Sequence, residues 1–290
     1  MSRRRRDWGP FMPVKLKSSN AGPTMDASSS SASPPLLPAQ KTRRKPSPDE
    51  LYPDWTWLAA ARVITEGKMR EEMSRSNVDA NIDGLCSWEN LREGAWVGKR
   101  VEECRDDELN GKLEKWEPST KTARGDGLTN GWDWAGAEGT WRRCVCWLDY
   151  EDLSFYNDIN EFDDPTLQEA ILIVPLRLRV VGFSEPAVAR YADRPTIHVE
   201  GEMGGAWWEE QDDGMEGDVR KVHGTVSVIA DGSVRWCLYS SDEESDDDQW
   251  VSEGIQIGGV GSAIGVLGMW TGARHEEGDP LGAFWSWKVA

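Results

Sequence analysis

The stretch that decides the fold runs from Trp250 to Lys288 and reads WVSEGIQIGGVGSAIGVLGMWTGARHEEGDPLGAFWSWK. Apolar residues alternate at Ile255, Ile257 and Val260, return at Val266, Leu267 and Trp270, and close with Phe284, Trp285 and Trp287. Glycine, proline or charged residues separate the three groups, so the stretch predicts three short strands joined by turns. Glycines at 254, 258, 259, 261, 265 and 268 mark bulges, tight bends or close backbone approach, as where a sheet curls into a barrel. Nothing in the stretch has a catalytic pattern.

Moving toward the N-terminus, KVHGTVSVIADGSVRWCLYS sets Val226 and Val228 on one arm and Val234, Trp236 and Leu238 on the other. Between them Asp231-Gly232 accepts the positive φ of a tight hairpin turn. One more strand carries Ile197 and Val199, and AILIVPLRLRVVGF alternates Leu176, Leu178 and Val180 with Arg177 and Arg179. Pro175 predicts a break or bulge there. The first strand alternates Trp141, Arg143, Val145 and Trp147 with Arg142, Cys144, Cys146 and Leu148. About eight strands in order, with short connections and no helical crossovers, predict a mainly β domain over residues 131–290. Its architecture is a closed or nearly closed antiparallel barrel. No internal repeat supports a propeller.

Ahead of the barrel, residues 49–130 predict a helical and loop region packed on it. One helix is expected over about 54–74 with Asp54 as N-cap, and Leu58, Ala61, Arg62 and Ile64 contribute to its amphipathic pattern. Residues 1–48, rich in Ser, Pro, Lys and Arg, read as a disordered basic tail. With ten basic and two acidic residues the tail carries +8, which leaves the rest at −26 within a net charge of −18. An acidic body argues against nucleic-acid binding. Five cysteines, an odd count with no CxxC pair, fit a reducing compartment. Neither a secretory signal nor a membrane-length apolar run is present, so a cytoplasmic or nuclear location is expected.

His198, His223 and His275 lack metal-ligand spacing, and the carboxylates come in runs, Glu209 to Asp213 and Asp242 to Asp248, which read as solvated loops. No GxSxG elbow, P-loop or dinucleotide fingerprint occurs, and the residues call for no cofactor, no metal and no enzyme. A binding module remains.

Two stretches carry a resemblance: GTWRRCVCWLDYEDLSFYN, and EGIQIGGVGSAIGVLGMWT followed by HEEGDPLGAFWSWK. With Arg194-Pro195 and Gly232 to Trp236, they resemble the C-terminal β-rich region of fungal F-box proteins, over about residues 132–290. DWTWLAAARVITEGKM is similar to the helix that follows the F-box in such chains. The resemblance implies a substrate-recognition domain of an SCF-type ubiquitin ligase, binding a protein substrate or degron, with a Skp-type adaptor and cullin-ligase subunits as further partners. No F-box is legible in residues 1–48. A second resemblance, carried by Gly139-Thr140-Trp141 and the closed barrel, is to lipocalin-like carriers of small apolar ligands.

Candidate partner-binding residues are Arg143, Arg177, Arg179, Arg190, Arg194 and Arg274, conspicuous in so acidic a body, together with Trp270. Arginine suits recognition of an acidic motif or a chain-terminal carboxylate. Pairing with the surplus carboxylates is the competing explanation for each one.

Overall fold

A computed structural model describes residues 9–13, 46–76, 131–148, 169–204, 219–242, 245, 247–262, 264–276 and 279–289. Two short strands, β1 (Phe11–Pro13) and β2 (Leu51–Pro53), pair antiparallel and lead into helix α1 (Trp55–Ser76). The barrel follows: β3 (Gly139–Leu148), β4 (Glu169–Ser184), β5 (Thr196–Gly204), β6 (Val219–Val228), β7 (Val234–Asp242), β8 (Trp250–Gln256), β9 (Val266–Gly272) and β10 (Leu281–Lys288). Each strand pairs antiparallel with the next, and β10 returns to β3 with Ser286 opposite Arg143. The result is a closed eight-stranded barrel, as the alternating pattern predicts, and closure leaves no sheet edge. Among the described residues no helix is long and apolar enough to cross a membrane.

Period-two alternation sorts the side chains into two cores. Trp141, Leu176, Leu178, Ile197, Val199, Val222, Val226, Trp236, Leu238 and Phe284 fill the interior. The opposite face of β3, β8, β9 and β10 presents Cys144, Cys146, Ile255, Leu267, Trp285 and Trp287 outward, where they are buried against β1, β2 and α1. Inward-facing glycines set the packing distance. Gly254 lies opposite Gly268, and a Cβ on Gly254 would stand 2.9 Å from the Phe284 ring. A large ring therefore fills the space two missing side chains leave.

Two local expectations change. Pro175 neither breaks nor bulges its strand: it lies opposite Arg142, one residue before the β5 ladder begins at Leu176, so its missing N–H costs no bond to β5. The irregularity falls instead between Val180 and Gly182. At the β6–β7 connection the turn spans residues 229–233, closed by the Ile229 N–H donating to the Ser233 carbonyl at 3.0 Å. Gly232 alone takes the left-handed conformation there (φ 95°), while the Asp231 carboxylate accepts the Ser233 N–H at 3.0 Å.

The α1 stripe that meets the barrel is Leu58, Ala61, Thr65 and Met69, with Ile64 turned outward. Thr65 tolerates burial because its hydroxyl donates to the Ala61 carbonyl at 2.7 Å. Asp54 caps the helix by accepting the Trp57 N–H at 3.0 Å. β1 lies inside the stretch read as tail and buries Phe11 over the Arg235 guanidinium at 5.3 Å. The remainder of residues 1–45, the region 77–130 and the run Glu209 to Asp213 lie outside the described residues.

Candidate functional site

The two ends of the barrel differ. At one end residues 131–138 fold under the strands as a plug, held by directional bonds. Trp134 Nε1 donates to the Pro195 carbonyl at 2.7 Å, Trp141 Nε1 to the Ala137 carbonyl at 3.0 Å, and Gln256 Nε2 to the Ala135 carbonyl at 3.0 Å. Gln256 Oε1 in turn accepts from Trp236 Nε1 at 3.1 Å. The Asp133 carboxylate shapes the loop by accepting the Ala137 and Glu138 N–H groups. Lys288 closes the seam, its ammonium 3.0 Å from the Gly136 carbonyl and 5.7 Å from the Trp141 ring centre. Burial lowers its pKa, against the opposing influence of Asp133 and Glu138.

At the other end the chain enters longer connections, and the inner wall carries Trp250 and Trp270, edge to face at 5.4 Å. Trp270 Nε1 donates to the Cys146 carbonyl at 3.0 Å, which fixes its indole across the barrel seam. Arg220 and Asp242 pair across β6 and β7 at 3.3 Å, and Arg220 also reaches Gln249. Arg274 approaches Asp247 at 3.6 Å with both side chains largely exposed. Among the described residues, half-buried tryptophans and charges of both signs therefore stand together at this second end.

The seven candidate residues do not form one rim. Trp270 and Arg274 belong to the end away from the plug. Arg177 and Arg179 stand on the outer wall of β4, where Arg179 pairs with Glu200 at 2.9 Å. Arg190 and Arg194 lie at the plugged end: Arg190 donates to the Ala230 carbonyl and covers the Tyr191 ring, and Arg194 stands 6.0 Å from the Trp134 ring centre. Arg143 points into the barrel and is 4% exposed. Its Nη2 donates to Ser252 Oγ at 2.5 Å, and its guanidinium lies 4.2 Å from the Phe284 ring centre. Burial lowers its pKa to about 10, which leaves it charged at neutral pH.

The interior hollow bounded by Trp141, Leu176, Trp236, Leu238, Ser252, Val266, Phe284 and Ser286 measures about 10 Å³, room for one water molecule. Outside, Arg235 and Glu253 form a bidentate pair at 2.6 and 2.7 Å beneath Phe11. Burial opposes the Arg235 charge, yet the adjacent Glu253 carboxylate outweighs it and raises the pKa. Sequence reasoning passed over this pair; the signal was present as Arg and Glu on neighbouring strands, but only the Arg235–Ile255 register brings them together. The Cys144 thiol is pushed up by its hydrogen bond with Cys146 and by burial, which suits packing rather than nucleophilic chemistry. His198 meets Ser184 at 2.7 Å and His223 meets Asp248 at 2.8 Å, in separate places on the outer surface. No family model matches this chain, and no curated protein or solved structure is similar to it at a significant level.

Proposed function

We propose that the chain is a non-catalytic protein-recognition module of the F-box receptor kind, whose barrel captures a peptide segment at the end that carries Trp250 and Trp270. The observation that carries the reading is an interior packed with side chains among the described residues: the hollow between Trp141 and Phe284 measures about 10 Å³, far below the roughly 300 Å³ that small-molecule sites occupy. At the second end, half-buried Trp250 and Trp270 stand on the same end of the barrel as the exposed charges of Arg274 and Asp247. Aromatic anchors beside arginine are the composition of energetic centres in protein interfaces. The Skp-type adaptor and cullin subunits follow as partners from the resemblance of residues 132–290 to F-box receptors.

Affinity purification of the full chain, beside Trp250→Ala and Arg274→Glu variants, tests the reading. Enrichment of a protein that both variants lose at least tenfold supports capture at the end that carries Trp250 and Trp270, and co-purification of cullin-ligase subunits supports the ligase assignment. Organic extraction of the purified chain provides the opposing outcome. A stoichiometric apolar molecule, unaffected by the rim variants, would replace the receptor reading with a carrier.

A further inference from the structure

Among the described residues six large apolar side chains are exposed, and five of them, Met12, Tyr52, Trp55, Val63 and Ile64, belong to β1, β2 and α1. Single exposed apolar residues need no explanation, but a continuous face of them does. Met12 and Tyr52 are cross-strand partners, and Trp55 follows the end of β2 by two residues. The buried sides of the same three elements enter one core against the barrel through Phe11, Leu51, Leu58 and Met69, so their other sides point away from it together. α1 is thus apolar on two faces. Besides the buried stripe, Trp55, Ala59, Val63 and Gly67 recur every four residues along its exposed side, where a surface helix ordinarily carries charge. Val63, near the middle of that stripe, is 72% exposed. Gly67 adds a second observation. Glycine inside a helix is destabilising relative to alanine, and a Cβ at Gly67 would meet nothing within 4 Å. Among the described residues nothing requires a glycine there, whereas the close approach of a second backbone would.

The pattern fits a second copy of this chain. Reversing α1 about Val63 returns the same stripe: Val63 meets its own equivalent, Ala59 meets the partner's Gly67, and Trp55 comes level with the partner's Arg70 and Glu71. Such self-complementarity is what a two-fold interface between identical chains requires. Charge points the same way. At −18 two copies repel over much of their surfaces, yet the charges flanking this stripe are paired within α1. Arg62 and Arg70 approach Glu66 at 3.6 and 2.9 Å, and Lys68 approaches Glu71 at 3.2 Å. The five apolar residues expose on the order of 500 Å² per copy, and their polar neighbours bring the face toward the roughly 800 Å² per partner of a specific interface. We propose that the chain forms a two-fold symmetric dimer through the outward face of α1, with Met12 and Tyr52 at the margin of the contact. The inference is independent of the receptor reading, because this face lies outside the barrel wall and the peptide at the end that carries Trp250 and Trp270.

Analytical ultracentrifugation of the full chain across a dilution series tests the proposal. Twice the mass of one chain is expected at about 10 μM, with dissociation on dilution. Val63→Glu sets two carboxylates against each other on the symmetry axis and should raise the dimer Kd by about thirtyfold or more. Gly67→Ala separates the two roles of the glycine. It should leave the thermal midpoint of the dilute chain unchanged or higher, because alanine suits a helix, while weakening the dimer by about fivefold through the added methyl at the close approach. Both positions are exposed, so neither variant disturbs the core. A single-chain mass at concentrations up to about 100 μM, roughly ten times the expected Kd range, would overturn the proposal and leave this face to a different protein or to other residues of the same chain. A dimer that both variants leave intact would overturn it as well, by placing the contact elsewhere on the surface.

Discussion

Burial does not determine what an ionisable side chain contributes here; its partner does. Glu253 is 4% exposed, yet it is fully engaged, accepting two hydrogen bonds from Arg235 and one from the Cys237 thiol at 3.4 Å. Glu253→Gln keeps the volume and removes the charge, which strands the Arg235 guanidinium beneath Phe11. Breaking a buried pair from one side costs about 3–5 kcal/mol, whereas replacing both members with apolar residues of similar size is close to neutral. In urea unfolding, Glu253→Gln is therefore expected to lose most of that amount and Arg235→Met/Glu253→Leu to recover it. A double variant as unstable as the single one would show that the pair supplies more than mutual neutralisation.

At the scale of elements, the outer wall of β3, β8, β9 and β10 is covered on one side by α1 and on the other by β1, which reaches from the far N-terminal part of the chain. Phe11 is the anchor of β1: it is 3% exposed and rests on Arg235, while Met12 on the opposite face of the strand is exposed. Phe11→Ala is expected to cost about 3–5 kcal/mol in chemical denaturation, with Met12→Ala nearly silent. A small effect at Phe11 would mean that β1 sits on the barrel without holding it. This attachment was not legible in the sequence, because FMP is three residues in a stretch dominated by Ser, Pro and Arg and has no period of its own. The barrel strands were legible because each carries its own alternation. The face of α1 was only partly so: Thr65 enters the buried stripe through its bond to the Ala61 carbonyl, which hydropathy does not register. The arginines were legible as unusual residues but not as a group, since their positions around a closed sheet depend on registers that no single strand encodes.

For the molecule as a whole, closure is the property that the rest depends on. β10 supplies the seam, pairing with β9 through Leu281 to Ser286 and with β3 through Phe284 to Lys288. The same strand gives Phe284 to the interior, Trp285 and Trp287 to the outer core, and Lys288 to the plug. An isolated edge in an open sheet is a template for pairing with another chain, and a closed barrel has none. Ending the chain after Pro280 would leave β9 and β3 as two unpaired edges while exposing the faces that β10 covers. That truncated chain is expected to form oligomers or aggregates at concentrations where the full chain has a single hydrodynamic size, as read by light scattering with size-exclusion chromatography. It should also lose the protected tryptophan environment of the core, seen as a red shift in emission. A monomeric truncated chain with unshifted emission would mean that the interior is organised by the remaining seven strands, and that closure follows from the core rather than creating it.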